Sequence, residues 1–225
     1  MAGLLLFDTA IGRCGIAWSE RGLTAVALPG PSDAQLRADL LRRTPGALEH
    51  RPAAPDRAAA TARPAAPDRA TAPDRPAAPD RPAAPARAAG PAARPAPPLP
   101  PHAARARDGI VALLAGADDD LADVALDLDG IADFRRRVYA VARTVGPGET
   151  TTYAAIADRL GADRGAARAV GRALGANPWP IVVPCHRVTA AGGRAGGFSA
   201  PGGVATKLRM LDLERAHAKG APTLF

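Results

Sequence analysis

The sequence contains few cysteines, lysines and aromatic residues and no long apolar run, and each shortage excludes a class of protein. Among its 225 residues are two cysteines, two lysines and 4% aromatic residues. No apolar run approaches the ~20 residues that cross a bilayer, and the apolar start reaches Asp8 without a basic region, unlike a signal peptide. Two cysteines do not form a disulfide framework. These features exclude membrane and secreted disulfide-rich proteins, and they predict a cytoplasmic protein with free thiols.

Residues that hold metals or cofactors are also scarce. The histidines and cysteines show no spacing typical of a zinc site. No glycine-rich phosphate loop or nucleotide-cofactor fingerprint occurs. We therefore expect no metal and no cofactor. The residues concerned are His50, His102, His186, His217, Cys14 and Cys185.

Proline, alanine and arginine are concentrated in residues 51–107, which hold 23 alanines and 15 prolines. Such a composition cannot bury enough apolar surface to offset the entropy of ordering, so we predict a disordered low-complexity insert. Arginine recurs every six residues from Arg51 to Arg87, which leaves open a basic arm that slides on DNA. A tolerated surface loop is favoured, because four aspartates dilute the charge and no aromatic residue is interleaved.

The residues on either side of the insert predict one small α/β domain, made of 1–50 and 108–130. Residues 3–28 alternate in polarity and contain turn signals, which predicts a β-meander. Ser32 is placed to cap a helix that ends at Pro45-Gly46. After the insert, residues 110–114 predict a helix and residues 124–128 a short extended segment. The predicted fold class is therefore α/β, with a meander and a helix interrupted by the insert.

Residues 131–225 predict a mainly helical domain that carries a net charge of +8. An apolar stripe runs from Ile131 to Val145 at helical spacing. Thr152 then caps a short helix over 153–160, and a second short helix follows over 165–174. Two short helices joined by a glycine-containing turn are typical of a helix-turn-helix, here winged-helix-like. A basic solvent-exposed face remains an alternative for the arginines of the second helix, which are Arg164, Arg168 and Arg172.

The most reactive combination of side chains is Cys185-His186-Arg187. Ile181-Val182-Val183 predicts a short strand that Pro184 ends. A thiol beside a titratable ring and a guanidinium is in a setting that lowers a cysteine pKa, and the thiolate is the nucleophile. Cys14 lies in an alternating segment and receives no role. A last helix over 204–216 is expected to bury Val204, Leu208 and Leu211.

Several motifs in the second half occur together and in order, and with them the sequence resembles the methylated-DNA–protein-cysteine methyltransferases, which repair O6-alkylguanine. The resemblance extends from about Phe134 to Glu214. Phe198, a longer interval between Tyr153 and Arg168, and Ala200-Pro201 depart from the family pattern and bear on pocket width. The motifs are Gly148–Tyr153, Ala166–Gly171, Asn177-Pro178, Ile181–Val188, Gly197–Ser199, Gly202-Gly203 and Lys207.

The resemblance implies a chemical role for three residues. Cys185 is the acceptor that attacks the alkyl carbon on guanine O6. His186 takes the thiol proton, through a bridging water in the family. Glu214 holds the far ring nitrogen of His186, as a carboxylate does in a triad.

The resemblance also implies that the damaged base is flipped out of the duplex. Arg168 fills the gap in the stack, Tyr153 turns the target phosphate, and Ser199 contacts the guanine with the backbone at Cys185 and Val188. Asn177 joins the recognition helix to the acceptor segment, and Lys207 supports the departing guanine or the loop. Arg187 completes this set of DNA- and substrate-binding residues.

The predicted partner is double-stranded DNA that contains O6-alkylguanine, with O4-alkylthymine as a second candidate substrate. The protein is expected to be a monomer that is used once. A lesion-binding protein without transfer is the alternative, but such alkyltransferase-like proteins lack the acceptor cysteine. A sequence-specific regulator would need Asn or Gln on the recognition helix, and a cysteine hydrolase would need an oxyanion hole. Neither alternative fits as well as a repair transferase.

Overall fold

A computed structural model describes residues 1–50 and 98–215, and these residues belong to one compact unit. The prediction of disorder for residues 51–97 lies outside the described residues. Within the described part, the strands are β1 Gly3–Thr9, β2 Gly12–Trp18, β3 Leu23–Ala27, β4 Leu48–Glu49, β5 Thr151–Thr152 and β6 Val188–Thr189. The helices are α1 Asp33–Arg43, α2 Pro101–Leu114, α3 Asp133–Ala142, α4 Tyr153–Arg159, α5 Ala167–Gly175 and α6 Gly203–Arg215.

The first three strands form the predicted antiparallel meander, and β4 joins it in the order β3-β2-β1-β4, parallel to β1. Gly3 pairs with Trp18, and a Cβ at Gly3 would lie only 2.5 Å from the Trp18 ring, so the close approach requires glycine. The Ser32 hydroxyl accepts from the Gln35 backbone N–H at 3.2 Å, which confirms the predicted cap of α1.

Helix α2 corrects the predicted C-terminal boundary of the insert. We expected the low-complexity segment to continue through residue 107, yet the helix begins at Pro101. Ala103 and Ala106 on this helix are fully buried. Alanine is both a strong helix former and small enough for close packing, so composition alone does not separate a packed alanine-rich helix from a low-complexity tract. Residues 110–114 are the last turn of the same helix.

The acidic segment after α2 is held by arginines. Arg105 contacts Asp119 at 2.9 Å and Asp123 at 2.6 Å. Arg143, the residue that follows α3, donates to the carbonyls of Leu121, Ala122 and Val124. The predicted extended segment at 124–128 is reduced to one bridge between residues 126 and 23. The negative charge of residues 108–130 is therefore partly compensated inside the molecule.

Helices α4 and α5 are the two short helices of the predicted helix-turn-helix, and α3 packs against both; we call these three helices the helix-turn-helix region. Thr152 Oγ accepts from the Ala155 N–H at 3.1 Å, which confirms the N-cap of α4. A 3-10 turn, Arg164–Ala166, leads into α5. The buried face of α3 carries Val138, Tyr139 and Ala142. Within the described residues, no helix is both long and apolar enough to span a bilayer.

Two predictions, one for residues 181–183 next to Cys185 and one for helix α6, are wrong. Residues 181–183 form a turn rather than a strand, with one bridge between residues 180 and 183 and a positive φ of 77° at Ile181. Helix α6 buries Lys207 and Glu214, whereas Val204 is exposed and Leu208 is only half-buried. The apolar periodicity of the sequence predicted the wrong buried face for α6, because two ionisable residues lie on the face that is buried. The buried residues of α6 are Lys207, Met210, Leu211 and Glu214.

The segment before Cys185 is fastened to β3. Trp179 Nε1 donates to the Leu23 carbonyl at 2.8 Å, and the Val26 N–H donates to the Pro178 carbonyl at 2.8 Å. The Trp179 ring meets Tyr139 edge to face, with centroids 5.9 Å apart. The N-terminal sheet therefore fixes the start of the segment that leads from residue 178 to Cys185.

Candidate active site

A groove of about 910 Å³ lies between α1, β3 and the helix-turn-helix region, and Cys185 lines it. Tyr153, Arg168, Asn177 and Ser199 line the same groove, so the structure brings together five of the residues predicted from the sequence. The other five, His186, Arg187, Val188, Lys207 and Glu214, are buried, each with less than a tenth of its surface exposed.

Cys185 begins a short 3-10 turn, Cys185–Arg187, and is half-buried. Burial raises the pKa of the Cys185 thiol, while a hydrogen bond from Asn177 and the charge of Lys207 act in the opposite direction. The prediction of a lowered pKa is therefore wrong. The nearby guanidinium of Arg187 does not supply the expected stabilisation, because its donors are directed to other groups. A neutral thiol requires a base when it reacts.

The base is adjacent in sequence. His186 Nε2 lies 2.8 Å from Glu214 Oε1, and both side chains are buried. Burial lowers the pKa of His186 more than Glu214 raises it, so the ring is neutral at neutral pH. A neutral ring donates to an ionised carboxylate through Nε2–H, which leaves Nδ1 as an acceptor. Nδ1 is buried and has no hydrogen-bond partner within residues 1–50 and 98–215.

Glu214 is held ionised by its neighbours. Arg187 Nη2 lies 2.8 Å from Glu214 Oε1, and Arg187 Nε lies 3.0 Å from Oε2. Burial by itself would raise the pKa of Glu214, but hydrogen bonds from His186 and Arg187 together with the charge of Arg187 outweigh it and lower the pKa to about 2. The carboxylate is therefore the acceptor at the centre of this cluster.

The structure contradicts the assignment of Arg187 as a DNA- or substrate-binding residue. Its side chain is 1% exposed. Besides Glu214, it donates through Nη1 to the Val145 carbonyl at 2.7 Å. The family resemblance placed Arg187 among the DNA- and substrate-binding residues, but this guanidinium points into the core.

Lys207 is also fully buried, and its Nζ donates to the Val188 carbonyl at 2.5 Å. Burial lowers the pKa of Lys207. The contact ties α6 to β6, and β6 pairs in parallel with β5 next to Tyr153. This geometry fits a role in supporting the loop around the acceptor.

The residues that line the groove come from separate elements. Tyr153, half-buried at the start of α4, packs near Gly171 and Gly196, and a Cβ at Gly196 would lie 3.4 Å from its ring. Arg168 is exposed on α5. Asn177 donates to the Val183 carbonyl and accepts from the Trp179 N–H, both at 2.9 Å. Ser199 Oγ donates to the Gly175 carbonyl at 3.0 Å, so the groove combines cationic, aromatic and polar groups.

The sequence did not predict that the N-terminal region reaches this groove. Arg42 and Arg43 at the end of α1 line it, although more than 120 positions separate them from Arg168. No local pattern signals such a contact, because it depends on how the sheet packs against the helices. Among the described residues, no cluster of three or more His, Cys, Asp or Glu side chains could hold a metal ion.

A helix-turn-helix beside a groove lined by a cysteine, with a histidine–carboxylate pair buried next to it, is the arrangement of a DNA-binding protein that presents a thiol. The family model for the 6-O-methylguanine DNA methyltransferase DNA-binding domain matches residues 133–216. The chain belongs to the O6-methylguanine-DNA methyltransferase family.

Individual relatives agree with this assignment. The methylated-DNA–protein-cysteine methyltransferase of Mycolicibacterium paratuberculosis is 50% identical over 103 residues, which are 46% of this chain and 60% of that protein. A DNA base-flipping protein of Thermus thermophilus is 41% identical over a stretch that makes up 51% of this chain and 74% of that protein. The crystal structure of Mycobacterium tuberculosis OGT in complex with DNA superposes with a TM-score of 0.60 at 28% sequence identity. The match covers 96% of this chain and 94% of that chain. The chain therefore spans about 60% of the length of the mycobacterial relatives it matches in sequence.

Proposed function

We propose that the protein repairs O6-alkylguanine in double-stranded DNA by transferring the alkyl group to Cys185 in a single turnover. The observation that carries this proposal is the cluster under the groove: a thiol, a neutral histidine, and an ionised glutamate 2.8 Å from the far ring nitrogen of that histidine. The same arrangement of nucleophile, base and orienting carboxylate activates other enzymatic nucleophiles. Relatives that are methylated-DNA–protein-cysteine methyltransferases support the substrate class.

The chemical step is a single displacement. The Cys185 Sγ–carbon bond forms as the carbon–O6 bond breaks, and the electron pair of the broken bond leaves with the guanine. His186 Nδ1 accepts the thiol proton, through a water molecule, while Glu214 stabilises the charged ring. The guanine takes up one proton from water and remains in the DNA as the normal base, and His186 returns the thiol proton to solvent. The alkylated cysteine has no leaving group of its own, so each protein molecule reacts once.

Access to the alkyl carbon requires that the base leave the duplex. Arg168 is exposed at the start of α5, where it can enter the stack, and Tyr153 lies between this helix and the acceptor. Ser199 and the backbone of Cys185 and Val188 are assigned to the guanine edge. Asn177 and Lys207 keep the acceptor segment in place through their carbonyl contacts. The protein acts as a cytoplasmic monomer, because one flipped base needs one groove and a reduced thiol.

The test is intact-protein mass spectrometry after incubation with a duplex that contains one O6-methylguanine, followed by peptide mapping. One added methyl group on the Cys185 peptide, saturating at one per protein, is the expected result. Binding of the duplex without any mass change would instead assign a lesion-binding role. The same measurement with a duplex that contains O4-methylthymine, and with one that contains a bulkier O6-alkyl group, tests which substrates the groove beside Phe198 admits.

Arg168→Ala is expected to weaken both lesion binding and transfer on duplex DNA by about ten- to a hundredfold, because the gap left by the flipped base costs a few kcal/mol when unfilled. Transfer from a free O6-alkylguanine base should be unchanged, since no stack is opened. Competition binding and single-turnover rates measure the two effects. Arg137→Ala is the matched control, because Arg137 is an exposed α3 arginine paired with Asp133 that does not line the groove. Equal losses for both substrates would contradict a role in base flipping.

Replacing residues 51–97 by a short Gly/Ser linker should leave the transfer rate at moderate salt unchanged, because the groove and its cluster are built from residues 1–50 and 98–215. Single-turnover rates at increasing salt provide the measurement. A large loss at low salt that shrinks as salt rises would show that the segment contributes phosphate contacts, because such contacts are screened at high salt. A longer deletion through residue 107 is the comparison, and it should destabilise the protein because it removes the buried Ala103 and Ala106.

A further inference from the structure

Arg187 connects three segments of the protein through its guanidinium. It follows Cys185 and His186 in the same turn, forms two contacts with Glu214 of α6 at 2.8 and 3.0 Å, and donates to the Val145 carbonyl at 2.7 Å. Glu214 Oε2 also accepts from the Gly148 N–H at 3.3 Å. Residues 145 and 148 belong to the turn between α3 and β5, which leads directly to Tyr153. The carboxylate that orients the histidine is therefore fixed by the same contacts that hold this turn.

One oxygen of the carboxylate serves both partners. Glu214 Oε1 receives His186 Nε2 at 2.8 Å and Arg187 Nη2 at 2.8 Å. A planar guanidinium that binds both carboxylate oxygens fixes the rotation of the carboxylate as well as its charge. A buried carboxylate without this cation would tend to take up a proton, and the donor–acceptor relation with the ring would then be lost.

We propose that Arg187 is a positioning residue for alkyl transfer, which orients Glu214 so that His186 keeps its proton on Nε2 and its lone pair on Nδ1. The inference rests on the proposed function for the reaction it serves, but the state of the ring can be measured without any reaction. This positioning role replaces the contact with DNA that the sequence predicted for Arg187. The residue acts through Glu214 and His186 and does not touch the substrate.

The charges that face His186 come from two elements. Glu214 and Lys207 lie on α6, and Arg187 lies in the same turn as His186. The positive charges of Arg187 and Lys207 lower the pKa of His186, and Glu214 raises it. Loss of the Arg187 charge should therefore raise the pH at which the buried His186–Glu214 pair takes up a proton, whichever partner binds it. Because transfer needs the neutral ring, the acidic limb of the rate profile should move to higher pH.

The experiment compares Arg187→Gln and Arg187→Lys with wild type in single-turnover transfer from an O6-methylguanine duplex across pH. We expect Arg187→Gln to reduce the maximal rate by about ten- to a hundredfold, the usual range for residues that orient a ligand or catalytic group, and to shift the acidic limb upward. Arg187→Lys keeps the charge without the planar fork, so it should restore the position of the limb but only part of the rate.

Arg143→Gln is the matched control for lost stability. Arg143 is half-buried and donates to three backbone carbonyls, remote in its contacts from the histidine cluster. It should lower the melting temperature without moving the acidic limb. If Arg187→Gln also lowers only the melting temperature, with rate and limb as in wild type, Arg187 is structural and the inference is overturned.

Nitrogen-15 NMR of the His186 ring separates this inference from the proposed function. In wild type at neutral pH, we expect the Nε2–H tautomer with unprotonated Nδ1. A ring protonated on Nδ1 instead would overturn the inference even if transfer occurs. Absence of transfer in wild type would reject the proposed function alone, and the ring signals of the Arg187→Lys protein would still show whether the guanidinium fork controls the tautomer.

Discussion

Cys185→Ser is expected to abolish alkyl transfer while lesion DNA remains bound. The serine hydroxyl is a far weaker nucleophile than a thiol with an adjacent base, so no transfer should be detectable in the time that wild type needs for completion. The substitution is nearly isosteric, and the groove residues Tyr153 and Arg168 lie on other elements. Intact mass after incubation with the O6-methylguanine duplex and a mobility-shift titration measure the two properties in one sample.

Cys14→Ser is the control for this result, because Cys14 is the other thiol in the chain. Cys14 is fully buried in the N-terminal core, where burial raises the pKa of its thiol to about 11. Its replacement should cost stability, since a hydroxyl is more costly to bury, but transfer should still reach one alkyl group per protein. Transfer that survives in Cys185→Ser and disappears in Cys14→Ser would reverse the assignment of the acceptor.

Features that depend on neighbouring residues could be predicted from the sequence. The meander, the caps by Ser32 and Thr152, and the helix-turn-helix all follow from turn residues, capping side chains and short-range periodicity. Each signal lies within a few residues of the structure it specifies. The boundary at Pro101 was missed because an alanine-rich segment is compatible with both a packed helix and a low-complexity tract.

Features that depend on burial could not be predicted. Glu214 and Lys207 are polar residues in the core. Their spacing in the sequence alone would favour a solvent-exposed face of the helix. The pKa of Cys185 was expected to fall because of adjacent basic residues, yet burial raises it. The direction of the Arg187 side chain reverses its predicted role. Long-range packing decides all of these, and for the cluster the family resemblance supplied the contact between His186 and Glu214 that spacing did not.

Glu214→Gln is expected to destabilise the protein by about 3–5 kcal/mol at pH 7, because the buried Arg187 guanidinium loses its counter-charge. The pKa of Glu214 gives a similar magnitude. It falls from an ordinary value of 4.5 to about 2 in the folded protein, which corresponds to about 3 kcal/mol. A lowered folded-state pKa stabilises the protein above pH 4.5, and this contribution is lost as the pH falls from about 4.5 to about 2.

Urea unfolding at pH 7 and pH 3 therefore tests whether the charge of Glu214, rather than its shape, holds the cluster together. The stability difference between wild type and Glu214→Gln should shrink by about 2 kcal/mol at the lower pH, because the wild-type carboxylate loses most of its advantage there. Glu149→Gln is the matched control, since this exposed carboxylate only accepts from the Gly146 N–H at 3.0 Å, and its effect should stay within about 1 kcal/mol. A difference for Glu214→Gln that is equal at both pH values would mean that the carboxylate contributes hydrogen-bond geometry alone. The ionised state of Glu214, on which the neutral, correctly oriented base depends, would then have to be abandoned.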